Sequence, residues 1–166
     1  MEVYVLDSNF FIQAHRVNYP LDVAISFWNK VEELARAQKI ISIDKVKNEI
    51  FHGNDILRDW CKDHLPEDFF YDTTHVMDAY ASVCSWAVSM SHHYNQPAIN
   101  EFLEADVADA FLVAFALKHP DIRIVVTQEI SQPERKNKIK IPDVCIGLEL
   151  RSVDTITMFR ELGERF

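Results

Sequence analysis

Three glycines in 166 residues are too few for a glycine-rich phosphate loop, because the Walker and dinucleotide types each need several. The three cysteines, Cys61, Cys84 and Cys145, are odd in number, widely spaced and without a C-x-x-C pair. They read as reduced thiols packed in the core of a cytoplasmic protein. No stretch approaches the ~18 uninterrupted apolar residues of a membrane span. The first apolar run is broken by Asp7 and has neither a basic start nor a small-residue cleavage site, so the expectation is neither secretion nor membrane insertion. Bases are scarce too: 17 against 26 acids gives a formal charge of −9. That disfavours a passive nucleic-acid binder, whose affinity comes from Lys and Arg, but not an enzyme whose acids hold a metal ion. No H-E-x-x-H is present, and His92-His93 are adjacent rather than spaced to chelate. Glu49-x-x-His52 has the spacing of di-iron bundles but lacks the second copy they need.

What is present is a chain that is 48% hydrophobic, undivided by any Pro/Gly/Ser-rich linker or internal repeat. It is expected to form one domain over residues 1–166. Residues 2–6 and 40–43 read as short buried strands, and Ile122–Thr127 as a further strand rich in β-branched residues. Apolar residues recur at helical spacing over 21–38, 75–94 and 104–118, with helices also expected over 44–53 behind an Asp44 cap, over 54–64, and from Pro142. Phe69–Tyr71 fits either state, and Val153–Met158 reads as a last strand before a short terminal helix. Phe10, Phe11, Trp28, Trp60 and Trp86 lie in patterned apolar stretches and are expected in the core. Strands that are apolar on both faces and alternate with helices predict a parallel sheet covered on both sides.

Such sheets bind ligands beyond the carboxyl ends of their strands. Asp7 ends the first apolar run and Glu129 ends Ile124-Val125-Val126-Thr127-Gln128-Glu129, so parallel strands place both acids at one edge. A buried carboxylate is costly unless something pairs with it. Asp106 and Asp109 are three residues apart and are expected on one helix face, and Glu49 lies beside the apolar stripe of its own helix.

In this order and spacing the motifs resemble the PIN-domain family, metal-dependent ribonucleases that include the VapC toxins. Val5-Leu6-Asp7-Ser8-Asn9 resembles its strand ending in Asp, Val46-Lys47-Asn48-Glu49-Ile50 its helical glutamate, and Asp109-Ala110-Phe111-Leu112-Val113-Ala114-Phe115-Ala116 its D-x-x-apolar-x-A-x-A helix. Val125-Val126-Thr127-Gln128-Glu129 resembles the strand that ends in Thr-Asn-Asp, with Glu in place of the usual last Asp. The resemblance implies a three-layer α/β/α fold with a central parallel sheet of four to five strands.

It also implies hydrolysis of RNA with Mg²⁺ or Mn²⁺, hard ions suited to carboxylate oxygens. Asp7 and Asp109 would be direct ligands, Glu49 a ligand or water-orienting base, and Glu129 a ligand or an acid behind one. Asp106 would serve a second metal or stand behind Asp109, or be a helix N-terminal acid favoured by the macrodipole. Asn9 and Thr127 are suited to orienting the carboxylates. Arg135, Lys136, Lys138 and Lys140 form the densest basic run and either contact RNA phosphates or belong to a solvated linker. The expected partners are the RNA substrate, a cognate antitoxin and a second copy of the chain. The other readings are a non-catalytic PIN-like module that binds RNA or protein, and a phosphoacceptor domain of receiver type, whose order of acids fits poorly. Haloacid-type phosphatases need D-x-D, whereas Asp7 is followed by Ser8 and Asn9.

Overall fold

Val3–Leu6 forms β1, the middle strand of the sheet, and Tyr4, Val5 and Leu6 are all buried in it. The computed structural model describes residues 1–53 and 55–166. A six-residue helix, α1 (Ser8–Gln13), follows β1 at once and widens into a π-type turn over Ala14–Asn18. Next come α2 (Ile25–Arg36), β2 (Ile40–Ile43), α3 (Asp44–Gly53), α4 (Asp55–His64) and the two-residue β3 (Phe70–Tyr71). The expected start of α4 at Asn54 lies outside the described residues. A short 3₁₀ turn (Thr74–Val76) leads into α5 (Met77–Ser89), then α6 (Gln96–Phe102), α7 (Ala108–Leu117) and β4 (Arg123–Val126). The chain closes with α8 (Ile141–Gly147), β5 (Ser152–Val153) and α9 (Thr155–Leu162).

All five strands are parallel, in the order β3-β2-β1-β4-β5. Helices cover both faces, which makes three layers. β1 pairs with β2 through Tyr4–Ile40 and Val5–Ile41, and with β4 through four residue pairs from Val3–Arg123 to Leu6–Val126. The chain runs outward from β1 to β2 and β3, then crosses back from β3 to β4 on the other side of β1, so the β1–β4 seam is the point where strand order reverses. Open α/β sheets put their ligand crevice at that point, beyond the carboxyl ends.

Several expectations are corrected. Thr155–Met158 is helical, because Asp154 caps α9 by accepting the Thr157 N–H at 2.7 Å and Met158 and Phe159 turn into the core. The helix expected over 104–118 starts only at Ala108, so Asp106 is an exposed turn residue and shares no helix face with Asp109. The helices expected from 21 and 75 begin at Ile25 and Met77. α1 and α6 have no counterpart in the sequence pattern: α1 is six residues with its three apolar ones adjacent, too few to show a helical period, and α6 is a short helix opened by the Asn95 cap and Pro97. Cys61 and Cys145 are buried, but Cys84 is half-buried, as are Trp60 and Trp86.

α7 is apolar all round, with Ala108 and Ala110 through Ala116 buried, as befits a helix enclosed by its neighbours. Asp109 is its single charged residue. Leu112, fully buried in α7, is expected to cost about 2–5 kcal/mol on truncation to Ala. A urea titration reads this as a lower midpoint with an unchanged slope, and a midpoint within error of wild type would show that α7 does not carry the core.

Candidate functional site

Asp7 follows β1 directly and is 2% exposed. Its Oδ1 accepts the Ser8 backbone N–H at 2.7 Å, which caps α1, and its Oδ2 accepts the Thr127 hydroxyl at 3.1 Å. The Thr127 oxygen in turn accepts from Asn9 Nδ2 at 3.3 Å and from the Glu129 N–H at 3.1 Å. One donor and two acceptor positions are thereby used, the full capacity of a hydroxyl. Asn9 Oδ1 accepts the Gln128 N–H at 3.1 Å, so the amide bridges both sides of the β1–β4 seam.

The other acids converge from separate elements. Burial pushes the Asp7 carboxyl well above the ordinary range, and the charges of Asp109 and Glu129 add to it. Asp109, in the first turn of α7, is raised to about 7 by burial and by Glu129 and Glu49, with Lys138 opposing. Glu49, on α3, is raised by burial while its Oε1 accepts the Ala108 N–H at 3.2 Å at the start of α7. Glu129 Oε2 accepts the Ile141 N–H at 2.9 Å at the start of α8. Three of the four acids therefore sit on the N-terminal N–H groups of helices, which favour negative charge. The long arm of Glu129 makes its cap possible: its own backbone is held by Thr127 while its carboxylate crosses to α8.

All the donors are carboxylate or neutral oxygen, a set that suits Mg²⁺ or Mn²⁺ in hardness. Among the described residues, however, no three His, Cys, Asp or Glu side chains are arranged to hold one ion. The acids act on one another through space, yet their oxygens are spread among three helix starts. The donor chemistry fits a divalent cation, while the Glu49 and Glu129 carboxylates each spend one oxygen on a helix N–H.

Two depressions flank the acids. A cavity of about 330 Å³ is lined by Asn9, Gln128, Glu129, Gln132, Arg135 and Lys140. A second, of about 430 Å³, is lined by Lys45, Asn48, Glu49, His52 and Asp106. The basic run is thus divided. Arg135 and Lys140 face the first cavity, Lys138 pairs with Glu101 at 2.7 Å while its field reaches Asp109, and Lys136 is exposed. Two features have no counterpart in the sequence reading. Buried Asp143 accepts from Ser131 Oγ at 2.5 Å and from the Gln132 N–H at 2.9 Å, pinning the loop after Glu129. Gln128 Oε1 holds the start of α9 through the N–H and hydroxyl of Thr155. Neither follows from spacing, because each joins residues that only the fold brings together.

The three-layer fold with its parallel sheet is broadly consistent with the PIN-like superfamily. The family described as a domain of unknown function, DUF4411, matches residues 4–166, and the chain belongs to it. No curated protein and no solved structure gave a match. No described helix is long and apolar enough to cross a membrane.

The raised Asp109 value gives a signed pH dependence. Below about pH 4 both the folded and the unfolded chain hold the proton. From there to about 7 the folded protein keeps a proton that the unfolded chain releases, so stability falls as pH rises through that window. Asp7 adds in the same direction. In chelator-treated buffer the Tm is expected to fall across the window, and Asp109→Asn to flatten the fall; each kcal/mol is about 2–4 °C for a chain of this size. An equal slope in both proteins would show that Asp109 is not under this strain.

Proposed function

We propose that this DUF4411 domain is a metal-dependent endoribonuclease with a PIN-like active site. The observation that carries the reading is the buried Asp7 at the β1–β4 seam, facing the carboxylates of Asp109 and Glu129. Burying like charges together is unfavourable in itself, and a divalent cation reverses the sign of that interaction. Asp7 and Asp109 would hold the ion, with Glu49 and Glu129 completing its ligands or orienting water; exposed Asp106 stands further out. Mg²⁺ or Mn²⁺ bound there supplies activation of water and neutralisation of charge on the phosphate oxygens. Asn9 and Thr127 keep Asp7 turned toward the other acids. Arg135 and Lys140 offer the phosphates of an RNA strand a cationic wall beside Glu129, Lys138 offsets Asp109, and Lys136 extends the wall outward. In this reading the protein is the toxin of a toxin–antitoxin pair, masked by a small antitoxin and active as a dimer.

The spread of the acids over three helix starts favours a second reading, a non-catalytic PIN-like module that binds RNA or protein. Incubating purified protein with mixed tRNA and rRNA separates the two. Cleavage is expected with Mg²⁺ or Mn²⁺, not with chelator, and not by Asp7→Asn. Mn²⁺ is expected to raise the Tm of wild type by several degrees, about 2–4 °C per kcal/mol, and that of Asp7→Asn much less. RNA that is bound but left intact, together with equal metal shifts in both proteins, would overturn the nuclease and leave the binding module. Growth arrest on expression that Asp7→Asn relieves tests the toxin role.

A further inference from the structure

We propose that the 430 Å³ cavity beside Glu49 is a substrate subsite that seats one unpaired nucleotide of the RNA strand, with the Lys45 ammonium on its phosphate. The inference rests on the nuclease reading for the strand's destination, but the cavity is built independently of it. Lys45, Asn48, Glu49 and His52 line it, and their spacing of i, i+3, i+4 and i+7 puts them on one face of α3. Val46 and Ile50 turn the opposite face into the core. A helix anchored on one side and lined with hydrogen-bonding groups on the other presents a rigid polar wall. The Asp106 turn forms the facing side. The volume lies in the range of about 300–1,000 Å³ typical of small-ligand sites.

Each lining group has a defined capacity. The Lys45 ammonium stands 4.8 Å from the centroid of the Phe111 ring on α7, which holds it over the helix that carries Asp109. Among the described residues Lys45 makes no ion pair, so its charge is available to an anion. His52 Nδ1 lies 3.3 Å from the Asn48 carbonyl oxygen. A carbonyl can only accept, so Nδ1 carries the hydrogen and Nε2 is left as an acceptor in the neutral ring. The Asn48 amide supplies both a donor and an acceptor. Glu49 lies in this cavity and its charge also acts on Asp109. Glu49 is therefore the link between a strand seated here and the acids around Asp109. The Arg135–Lys140 groove opens beyond them at Glu129. Cations would then meet the strand on both sides of the acids, which resolves how a chain of net charge −9 receives a polyanion.

The test reads binding without cleavage. In the Asp7→Asn background, a fluorescein-labelled, mixed-sequence single-stranded oligoribonucleotide is titrated by anisotropy across a range of salt. Lys45→Gln is expected to weaken binding about tenfold at low salt, as for the loss of one charge-assisted hydrogen bond. The slope of log K against log salt should shrink by about 0.7. His52→Ala is expected to weaken binding with the slope unchanged. Lys118→Gln, at the far end of α7 from Asp109 and paired with Asp78, is expected to change neither. Thermal melts of each variant confirm folding. Equal affinity and slope for Lys45→Gln and its parent, or no binding by the folded parent, would overturn the subsite. Cleavage by wild type with unchanged Lys45→Gln binding removes the subsite and keeps the nuclease. Weakened Lys45→Gln binding with no cleavage under any metal keeps the subsite and removes the nuclease.

Discussion

The carboxylate of Asp7 and the hydroxyl of Thr127 meet at 3.1 Å across the ends of β1 and β4, and much of this edge of the sheet hangs from that contact. The strands beneath it are held by the Asp7 N–H bonded to the Val126 carbonyl at 3.0 Å. Above it, the same hydroxyl fixes the backbone of Glu129 and the side chain of Asn9. A buried carboxylate could not remain charged here without compensation. Part of that compensation is local, from the Ser8 N–H and the Thr127 hydroxyl, and both lower its pKa. Asp109 and Glu129 push the other way.

Helix starts explain how so many acids are tolerated at one edge. A parallel sheet sends each strand into a helix whose N–H groups point back toward the carboxyl ends, and the returning α7 begins at that edge as well. Asp7, Glu49 and Glu129 each take one such N–H, from α1, α7 and α8. These caps hold the acids near one another but not on a common point. The same contacts tie α1, α3, α7 and α8 together around the end of the sheet. Among the described residues Asp109 takes no such N–H, and it sits in an otherwise apolar helix, so burial and its acidic neighbours raise its pKa.

The cationic groups are distributed to match. Lys138 is drawn into the pair with Glu101 while facing Asp109, and Arg135 and Lys140 line the groove beyond Glu129. Asp143 pins Ser131 and Gln132 from inside α8, fixing the loop that carries them. Net charge alone is a poor guide here, because the acids lie largely at caps and on helix surfaces while a few bases border the site.

Consecutive residues were enough to reveal a parallel sheet covered on both faces, the acids Asp7 and Glu129 at its edge, and a helix around Asp109. Each of these is local: an apolar strand ending in an acid, or an unbroken apolar helix with one charge, leaves a pattern in consecutive residues. Long-range packing set the rest. Three adjacent apolar residues in a six-residue helix show no period, so nothing local signalled that α1 begins at Ser8. The β-branched Thr155 and Ile156 suggested a strand until the Asp154 cap and the packing of Met158 and Phe159 made them helical. Asp106 left the face of Asp109 because α7 starts two residues later, with Glu49 holding its first N–H from another helix. That Glu49 and Glu129 are caps, and that Lys45 overlooks Asp109's helix, depends on residues about 12 to 66 positions apart meeting in space, and spacing along a chain does not encode such meetings.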